Sequence, residues 1–281
     1  MRRVSGIAEA RERVRAARRD GATVALVPTM GALHDGHLRL VERAHAQASY
    51  VVVSVFVNPL QFGPGEDFGR YPRDPDGDAA KAAAAGAHLL FMPEVAELYP
   101  REARVSVVPV GLGDRWEGPI RPGHFAGVLT VVLKLFGIVQ PDVAIFGQKD
   151  VQQATLVGAM VEDLNLPVRI VVEPTVREAD GLALSSRNRY LSPDERQTAL
   201  RVPQALRNAS RAFAGGARDA QAIETSARAA LEGAPDVAVD YLAVVDPLTL
   251  EPVARAAPGH VVLVAARVGR TRLLDNLVLG S

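Results

Sequence analysis

Two histidines, His34 and His37, lie three residues apart in the segment PTMGALHDGH, directly after a short apolar run that ends at Val27. We expect a strand to end at Val27 and a helix to begin near Gly36, which places both imidazoles at the first turn of that helix. A helix N-terminus offers free amide groups and the positive end of a dipole to a phosphate, and the two imidazoles would add donors. The alternatives are a surface pair without a role, or half of a metal site. For zinc, the other four histidines form no metal-spaced cluster, so a distant carboxylate would have to complete the site.

Neutral amides follow the next apolar run, in the segment SVFVNPLQFGPGEDF. We expect a buried strand to end at Val57, which places Asn58 and Gln61 just beyond its carboxyl end. Amide side chains bind hydroxyl and carboxylate groups without adding charge, so this pair could hold a small polar substrate. Asn-Pro is also a common turn signal, and a purely structural role for Asn58 is an equally good interpretation.

Two further polar segments carry groups that suit a nucleotide. In AIFGQKDVQQ, Lys149 and Asp150 follow an apolar run, where an ammonium can meet a phosphate and a carboxylate can accept from ribose hydroxyls. In LALSSRN, Ser185, Ser186 and Arg187 combine two hydroxyls with a guanidinium that can bind in bidentate fashion. That tripeptide alone is unremarkable, but it lies beside the expected domain boundary, where ligand clefts often occur.

The composition restricts the chemistry that these groups can perform. The 281 residues include 32 basic and 32 acidic side chains, which argues against a general nucleic-acid binder. The absence of cysteine excludes disulfides, thiolate catalysis and cysteine-bound zinc. Only three of the basic residues are lysine, so Lys149 is a candidate for a compact charge with a specific role. Lys134 is expected to snorkel from an apolar helix, and Lys81 is expected to be solvated.

No stretch of the sequence resembles a membrane span or a leader. The chain has no run of 18 apolar residues, and its basic N-terminal segment lacks the apolar core of a signal peptide. We therefore expect a cytoplasmic protein that has neither membrane nor nucleic acid as a partner.

The elements that must position the polar segments follow an alternating pattern. Valine-rich apolar runs such as TVALVP, VVVSVFV and DVAIFG alternate with helical stretches, which begin with an amphipathic helix over residues 6–19. Apolar runs without polar alternation are typical of strands that helices cover on both faces. The pattern therefore predicts an α/β fold with a Rossmann-like, doubly wound parallel sheet.

The pattern changes after Pro174, where a polar, turn-rich segment begins. A helical stretch is expected from Pro193 to about Ala214, and a second helix is expected near residues 220–231. The apolar runs VAVDYLAVVD and HVVLVAARV then predict two antiparallel strands. We therefore predict two domains, a Rossmann-like domain over residues 1–175 and a smaller α+β domain over residues 176–281.

Three common motifs of nucleotide and acyl chemistry are missing. The chain has no G-x-x-x-x-G-K-[ST], no G-x-G-x-x-G after a strand and no G-x-S-x-G, which disfavours a P-loop ATPase, a standard dinucleotide enzyme and an α/β hydrolase. An H-x-G-H turn with a downstream lysine and a Ser-Ser-Arg loop instead suits attack at the α-phosphate of ATP. Cationic donors would stabilise the charge that develops on the α-phosphoryl group and on the departing pyrophosphate.

Five long segments, taken together, resemble one known family. PTMGALHDGH, FVNPLQFGPGEDF, RPGHFAGVLTVVLKLF, FGQKDVQQ and PTVREADGLALSSRN closely resemble, in this order and spacing, the pantothenate synthetases. The resemblance runs from about residue 22 to 193 and recurs more weakly in DYLAVVDPLTLEPV and RTRLLDN. The H-x-G-H motif alone would indicate only the wider nucleotidyltransferase superfamily.

The resemblance implies a reaction and an assembly. In this family the carboxylate of pantoate attacks the α-phosphorus of Mg²⁺-bound ATP to give pantoyl adenylate and pyrophosphate, and the amine of β-alanine then displaces AMP. The resemblance also implies a homodimer whose subunits carry an ATP- and pantoate-binding domain and a smaller C-terminal lid domain.

The resemblance further implies roles for individual residues. The catalytic groups would be His34, His37 and Lys149. The residues that contact ATP would be Met30, His34, His37, Gly147, Lys149, Asp150, Val176, Ser185, Ser186 and Arg187. The residues that hold pantoate or β-alanine would be Asn58, Gln61 and Gln153. Arg121 and His124 would lie in a loop beside the site, without an assigned role.

The sequence also offers candidate metal ligands and two alternatives to this reaction. The acidic residues Asp67, Asp74, Asp76 and Asp78 are possible ligands of Mg²⁺, although acidic loop residues are more often simply solvated. One alternative function is a nucleotidyltransferase that moves AMP onto a phosphorylated acceptor, which would want additional basic residues for that phosphate. Another is a nucleotide-binding module that has no catalytic activity.

Overall fold

The computed structural model describes residues 1–233 and 236–281. Within them the chain divides into two compact units. The first comprises Met1–Gly147 and Gln152–Pro174, and the second comprises Gln148–Val151 and Thr175–Ser281. The short segment Gln148–Val151 therefore belongs to the second unit, although the chain on both sides of it belongs to the first.

The first unit contains six strands and seven helices. The strands are β1 (Arg2–Val4), β2 (Val24–Thr29), β3 (Tyr50–Val55), β4 (Leu89–Phe91), β5 (Val143–Gly147) and β6 (Arg169–Glu173). The helices are α1 (Ile7–Arg19), α2 (Asp35–His45), α3 (Pro75–Ala84), α4 (Val95–Leu98), α5 (Glu117–Ile120), α6 (His124–Val139) and α7 (Val151–Asp163), the last of which begins in the second unit.

The six strands form one parallel sheet in the order β1-β4-β3-β2-β5-β6. The chain runs outward from β2 through β3 to β4, and then restarts at β5 beside β2 and runs outward in the other direction. This reversal is the point at which open α/β sheets bind ligands, just outside the carboxyl ends of the strands. The segments that follow β2 and β5 contain the H-x-G-H turn and the Gln-Lys-Asp turn.

Both faces of the sheet are buried, which explains the continuous apolar runs. Along β2, Val24 and Leu26 join the core that contains α1 and α6, whereas Ala25 and Val27 join the core that contains α2. Successive side chains of a strand point to opposite faces, so a strand covered on both sides has no position for a polar residue.

The described part of the second unit contains three helices and three strands. The helices are α8 (Pro193–Ala199), α9 (Arg201–Ala214) and α10 (Ala220–Arg228). The strands β7 (Val237–Val245), β8 (Val261–Val268) and β9 (Thr271–Val278) form an antiparallel sheet in that order. Alternate residues of the sheet and the apolar stripes of the helices share one core.

The expected α/β class, with a parallel sheet and a smaller α+β part, is confirmed. Three details differ from the sequence expectations. The stretch from Pro193 to Ala214 divides into two helices at Leu200, and the edge strand β1 and the strand β9 were not predicted. In β9, TRLLDNLV, polar and apolar residues come in successive pairs, so the segment shows neither strict alternation nor a continuous apolar run. Within the described parts of the chain, no helix is both long enough and apolar enough to cross a membrane.

Candidate active site

The two histidines of the H-x-G-H turn form the N-terminal end of α2. His34 is the N-cap residue, with an extended backbone, and its amide nitrogen donates to Nδ1 of His37 at 3.3 Å. The two rings lie with their centroids 4.1 Å apart. Because Nδ1 of His37 is the acceptor in this bond, a neutral His37 carries its proton on Nε2. That N–H is a donor of the kind that binds a phosphate, and it lies at a helix N-terminus, whose dipole favours an anion.

A buried carboxylate holds the loop that leads into this turn. Gly31 and Ala32 have left-handed backbones, with φ of +84° and +51°. Asp78 in α3 is 1% exposed, and its two oxygens accept from the amides of Ala32 at 2.9 Å and Leu33 at 2.7 Å. The conformation of the loop is costly for alanine, and these two hydrogen bonds to a charged acceptor offset that cost.

The sequence interpretation of α3 therefore needs one correction. Asp78 was considered as a magnesium ligand or a solvated acid, but it is buried and both of its oxygens bind backbone amides. Lys81 is exposed, as expected, and its ammonium also donates to the carbonyl of Leu33 at 2.7 Å. One turn of α3 thus binds both the amide and the carbonyl side of the same loop.

Asn58 and Gln61, the amide pair predicted after β3, are both buried and are hydrogen-bonded to each other. The side-chain nitrogen of Asn58 donates to Oε1 of Gln61 at 3.2 Å and to the carbonyl of Gly127 at 3.0 Å. Its oxygen accepts from the amide of Leu60 at 3.3 Å and from the hydroxyl of Tyr99 at 3.0 Å. Both hydrogens and the oxygen of Asn58 are therefore engaged by the protein, which favours the structural interpretation of this residue.

Gln61 connects the amide pair to Met30, the residue that precedes Gly31. Its Nε2 donates to the sulfur of Met30 at 2.9 Å, while Oε1 accepts from Asn58. The structure thus brings together Met30, Asn58 and Gln61, which the sequence places in separate segments. The two strands that precede them, β2 and β3, are neighbours in the sheet.

The backbone of Gln61 is held from the other side by the loop before α6. Nδ1 of His124 lies 2.8 Å from the carbonyl of Gln61, which can only accept, so Nδ1 carries the proton. Nε2 then accepts from Arg121 at 3.0 Å, and Arg121 also pairs with Glu66 through two hydrogen bonds. This arrangement requires a neutral imidazole.

The ionisation of this cluster follows from burial and from the guanidinium. Burial, together with the nearby charge of Arg121, lowers the pKa of His124 to about 4. Burial acts to raise the pKa of Glu66, but the hydrogen bond and the charge of Arg121 outweigh it and lower that pKa. At neutral pH the cluster therefore consists of an uncharged imidazole and a charged Arg–Glu pair.

Close backbone packing fixes the position of the Pro59–Gln61 turn. A Cβ placed on Gly127 of α6 would lie 2.7 Å from the amide nitrogen of Gln61 and closer still to the carbonyl of Leu60. Only glycine lets the helix approach this turn so closely. The neighbouring Lys134 was expected to snorkel from α6, and its ammonium lies 5.1 Å from the centre of the Tyr99 ring, a cation–π distance.

The segment after β5 contains the candidate phosphate lysine. Residues Gln148–Asp150 form a 3-10 turn after Gly147, and the ammonium of Lys149 lies 3.7 Å from the carboxylate of Asp150. In the first turn of α7, Gln152 is buried and binds the carbonyls of Leu112 and Arg115, both at 2.9 Å. Gln153, the candidate substrate residue, is half-buried on that turn.

The remaining candidates lie in the second unit. The amide of Leu184 donates to the carbonyl of Val176 at 2.9 Å. The chain therefore turns back on itself between these two residues, just before Ser185. The hydroxyl of Ser185 accepts from the amide of Arg187 at 3.3 Å, so Ser185 caps the short 3-10 helix Ser186–Tyr190. Ser185, Ser186 and Arg187 are each half-buried.

Within residues 1–233 and 236–281, no group of three or more histidine, aspartate or glutamate side chains has an arrangement that could hold a metal ion.

The fold and the turn together define a class of protein. A parallel, doubly wound sheet whose order reverses between β2 and β5, with an H-x-G-H turn after β2, is the arrangement of α/β proteins that bind a ligand outside the carboxyl ends of their strands. A family model described as pantoate-beta-alanine ligase matches residues 2–278, and the chain belongs to this family of AMP-forming ligases.

Individual relatives match over the whole chain. The pantothenate synthetase of Agrobacterium fabrum is 54% identical over 281 residues, which cover 100% of this chain and 96% of that protein. A crystal structure of pantothenate synthetase from Thermus thermophilus has a TM-score of 0.94 at 49% identity and covers 99% of both chains. A pantoate-beta-alanine ligase from Francisella tularensis, complexed with beta-gamma ATP and beta-alanine, has a TM-score of 0.82 at 30% identity, over 99% of this chain and 97% of that one.

Sequence reasoning missed several residues that organise the site. Asp78, Tyr99 and Gly127 support the candidate residues through contacts between segments that are far apart in the chain. Gly127 stands inside an apolar helix, where glycine costs about 1 kcal/mol relative to alanine, and that cost was a usable signal for close packing. Asp78 carried no local signal, because an acidic residue in a first helical turn is common on the surface.

Proposed function

We propose that this protein joins pantoate to β-alanine at the expense of ATP, through a pantoyl adenylate, and releases AMP and pyrophosphate. The observation that carries the proposal is the family match over residues 2–278, which includes every candidate site residue. The complex of the Francisella tularensis relative, with an ATP analogue and β-alanine, supports the choice of substrates.

In the first half-reaction, an oxygen of the pantoate carboxylate attacks the α-phosphorus of MgATP, and pyrophosphate leaves. Nε2 of His37, together with His34 and the amides of the first turn of α2, would stabilise the charge that develops on the phosphoryl oxygens. Lys149 would bind the phosphates as a point charge, and Ser185, Ser186 and Arg187 would clamp them. Met30, Gly147, Asp150 and Val176 would contact the nucleoside. The ion Mg²⁺ would arrive with ATP.

In the second half-reaction, the β-alanine amine attacks the acyl carbon of the adenylate, and the bond to AMP breaks. The adenylate is a mixed anhydride, so the site must keep water away until the amine arrives. Gln61 and Gln153 would hold pantoate by its hydroxyl and carboxylate groups. We propose that Asn58 acts from behind Gln61, because its own hydrogen-bonding groups are occupied.

We further propose a homodimer, as the resemblance implies, with a cytoplasmic location, as expected from the sequence. Three valines of the segment before α5 support the homodimer, because Val105, Val108 and Val110 are 84%, 65% and 90% exposed. Exposed apolar surface that is concentrated in one segment often marks a contact with another protein. Light scattering of the wild type should give twice the chain mass, and Val108→Glu with Val110→Glu should give the chain mass; a monomeric wild type would refute the dimer.

The reaction is tested by incubating the purified protein with pantoate, β-alanine and MgATP. AMP and pyrophosphate should form in equal amounts together with pantothenate, and formation of ADP would refute the proposal. Pantoate alone should support exchange of labelled pyrophosphate into ATP, and ¹⁸O in the pantoate carboxylate should appear in AMP. Pyrophosphate release that requires a phosphorylated acceptor would favour the nucleotidyltransferase, and ATP binding without exchange would favour a non-catalytic module.

The roles of the catalytic residues are tested by three alanine substitutions. His34→Ala, His37→Ala and Lys149→Ala should each lower kcat by about 10²-fold or more, the scale that follows from loss of one donor to a developing oxyanion. Unchanged rates in a folded variant would remove that residue from the mechanism.

A further inference from the structure

Two polar residues on β9 lie buried beneath the segments that we propose to bind phosphate. Asp275 and Asn276 are 4% and 1% exposed, although β9 is an edge strand of the small sheet. A buried polar side chain is costly unless its hydrogen bonds are made, so their partners show what the pair does. All of these partners belong to the second unit.

Asn276 holds the turn that carries Lys149. Its Nδ2 donates to the carbonyl of Gln148 at 2.8 Å and to the carbonyl of Lys149 at 3.1 Å. Its Oδ1 accepts from the side-chain nitrogen of Gln148 at 2.9 Å. Only an amide offers two donors and an acceptor in this shape, so neither aspartate nor leucine can replace it.

Asp275 holds the segment that leads to Ser185. Its carboxylate accepts from Arg177 in bidentate fashion, at 2.6 and 3.0 Å, and also from the backbone amide of Asn276 at 2.8 Å. Arg177 in turn donates to the carbonyl of Gly181 at 3.2 Å and pairs through its backbone with Ala183. The carboxylate therefore fixes the hairpin that ends just before the Ser-Ser-Arg loop.

We propose that Asp275 and Asn276 are positioning residues that hold the Lys149 turn and the Ser185–Arg187 loop at a set distance from each other. The proposal rests on the proposed function, in which both segments bind the phosphates of ATP. Adjacent residues of one strand reach both segments, so a single rigid element aligns donors that are separated by 36 to 38 positions in the chain. Preorganised donors of this kind spend no binding energy on ordering.

The test compares Asn276→Asp with the matched control Asn208→Asp in the full-length protein. Asn208 is a half-buried asparagine of α9 whose side chain also donates to a backbone carbonyl, that of Ser226 at 3.3 Å. Asn276→Asp replaces two donors by an acceptor that faces two carbonyls. It should raise KM for ATP by about 10- to 100-fold, the scale of losing one or two buried hydrogen bonds. KM for β-alanine should change less than about twofold, within the error of such comparisons. The affinity for adenosine, which keeps the contact to Asp150 but lacks the phosphates, should fall clearly less than the affinity for ATP.

A structural readout separates this proposal from the proposed function. Amide hydrogen exchange of residues 147–153 should accelerate in Asn276→Asp and not in Asn208→Asp, whatever reaction the protein catalyses. If the wild type produces no AMP and pyrophosphate, the proposed function fails. Hydrogen exchange and calorimetric ATP affinity then still test the positioning role of Asp275 and Asn276.

Three results would refute the positioning role of Asp275 and Asn276. The first is an Asn276→Asp variant whose KM for ATP and exchange rates match those of Asn208→Asp. The second is an equal loss of affinity for adenosine and ATP, which would indicate general damage to the fold. If Asn276→Asp does not fold, Gln148→Met removes only the side-chain bond to Oδ1 of Asn276 and should raise KM for ATP by about threefold, a smaller loss for one partly exposed bond. An unchanged KM in that variant is the third.

Discussion

Replacement of Asp78 by asparagine should damage both the stability and the catalytic rate of this protein. The carboxylate binds the amides of Ala32 and Leu33, and these residues lead directly into His34. Asparagine keeps the size of the side chain and one acceptor oxygen, but it turns a donor toward the second amide. One buried amide is then left without an acceptor and faces an N–H group.

The magnitude follows from the bonds that are lost. A hydrogen bond to a charged group contributes about 1.5–3 kcal/mol, and a buried unsatisfied amide costs about 1–3 kcal/mol. Relaxation of the loop would recover part of this, since the left-handed backbone of Ala32 costs about 1–2 kcal/mol. We therefore expect a loss of about 2–4 kcal/mol in the free energy of unfolding, or several degrees in Tm. A shift of His34 by about 1 Å would also lower the pyrophosphate exchange rate by about 10²-fold.

The assay compares Asp78→Asn with Asp76→Asn, which lies on the same helix. The side chain of Asp76 is 96% exposed and pairs with Arg3 at the surface, so its loss should be nearly neutral. Thermal unfolding and pantoate-dependent pyrophosphate exchange are measured for both variants. The reasoning is refuted if the two variants have the same Tm and the same exchange rate.

Three further substitutions test the support of the amide pair. Gly127→Ala should displace the turn that carries Gln61 and raise KM for pantoate at least about tenfold. The control Gly137→Ala, at an open position of the same helix, should leave that KM unchanged and add up to about 1 kcal/mol of stability. Equal KM values in the two variants would contradict this. The pKa of His124 is about 4 in the fold and 6.5 when unperturbed. Its neutral ring therefore contributes fully to the free energy of unfolding above pH 6.5, and about 3 kcal/mol of this contribution should be lost as the pH falls toward 4 in urea titrations. His124→Asn should flatten this pH profile, and an unchanged dependence of stability on pH would refute the assignment. Tyr99→Phe removes a donor to Asn58 and should cost about 1 kcal/mol in the same titration, with no loss arguing against that bond.

The sequence by itself determined the fold class, the family and the segments that carry the chemistry. These features are local: a valine-rich run predicts a strand with two covered faces, and an H-x-G-H turn after such a run predicts imidazoles at a helix N-terminus. Both predictions are confirmed by β2 and by His34 as the N-cap of α2. The family resemblance rested on five such segments, and the match over residues 2–278 confirms it.

Only the tertiary structure decided how these segments are supported. Asp78 binds the loop before His34 from 45 and 46 positions away, and Asn276 binds the Lys149 turn from 127 positions away. Such contacts leave no periodic or spacing signal, because they depend on which strands become neighbours after the chain has folded. The same acid that reads as solvated in the sequence becomes buried once two backbone amides replace its water, and that exchange is a property of the fold.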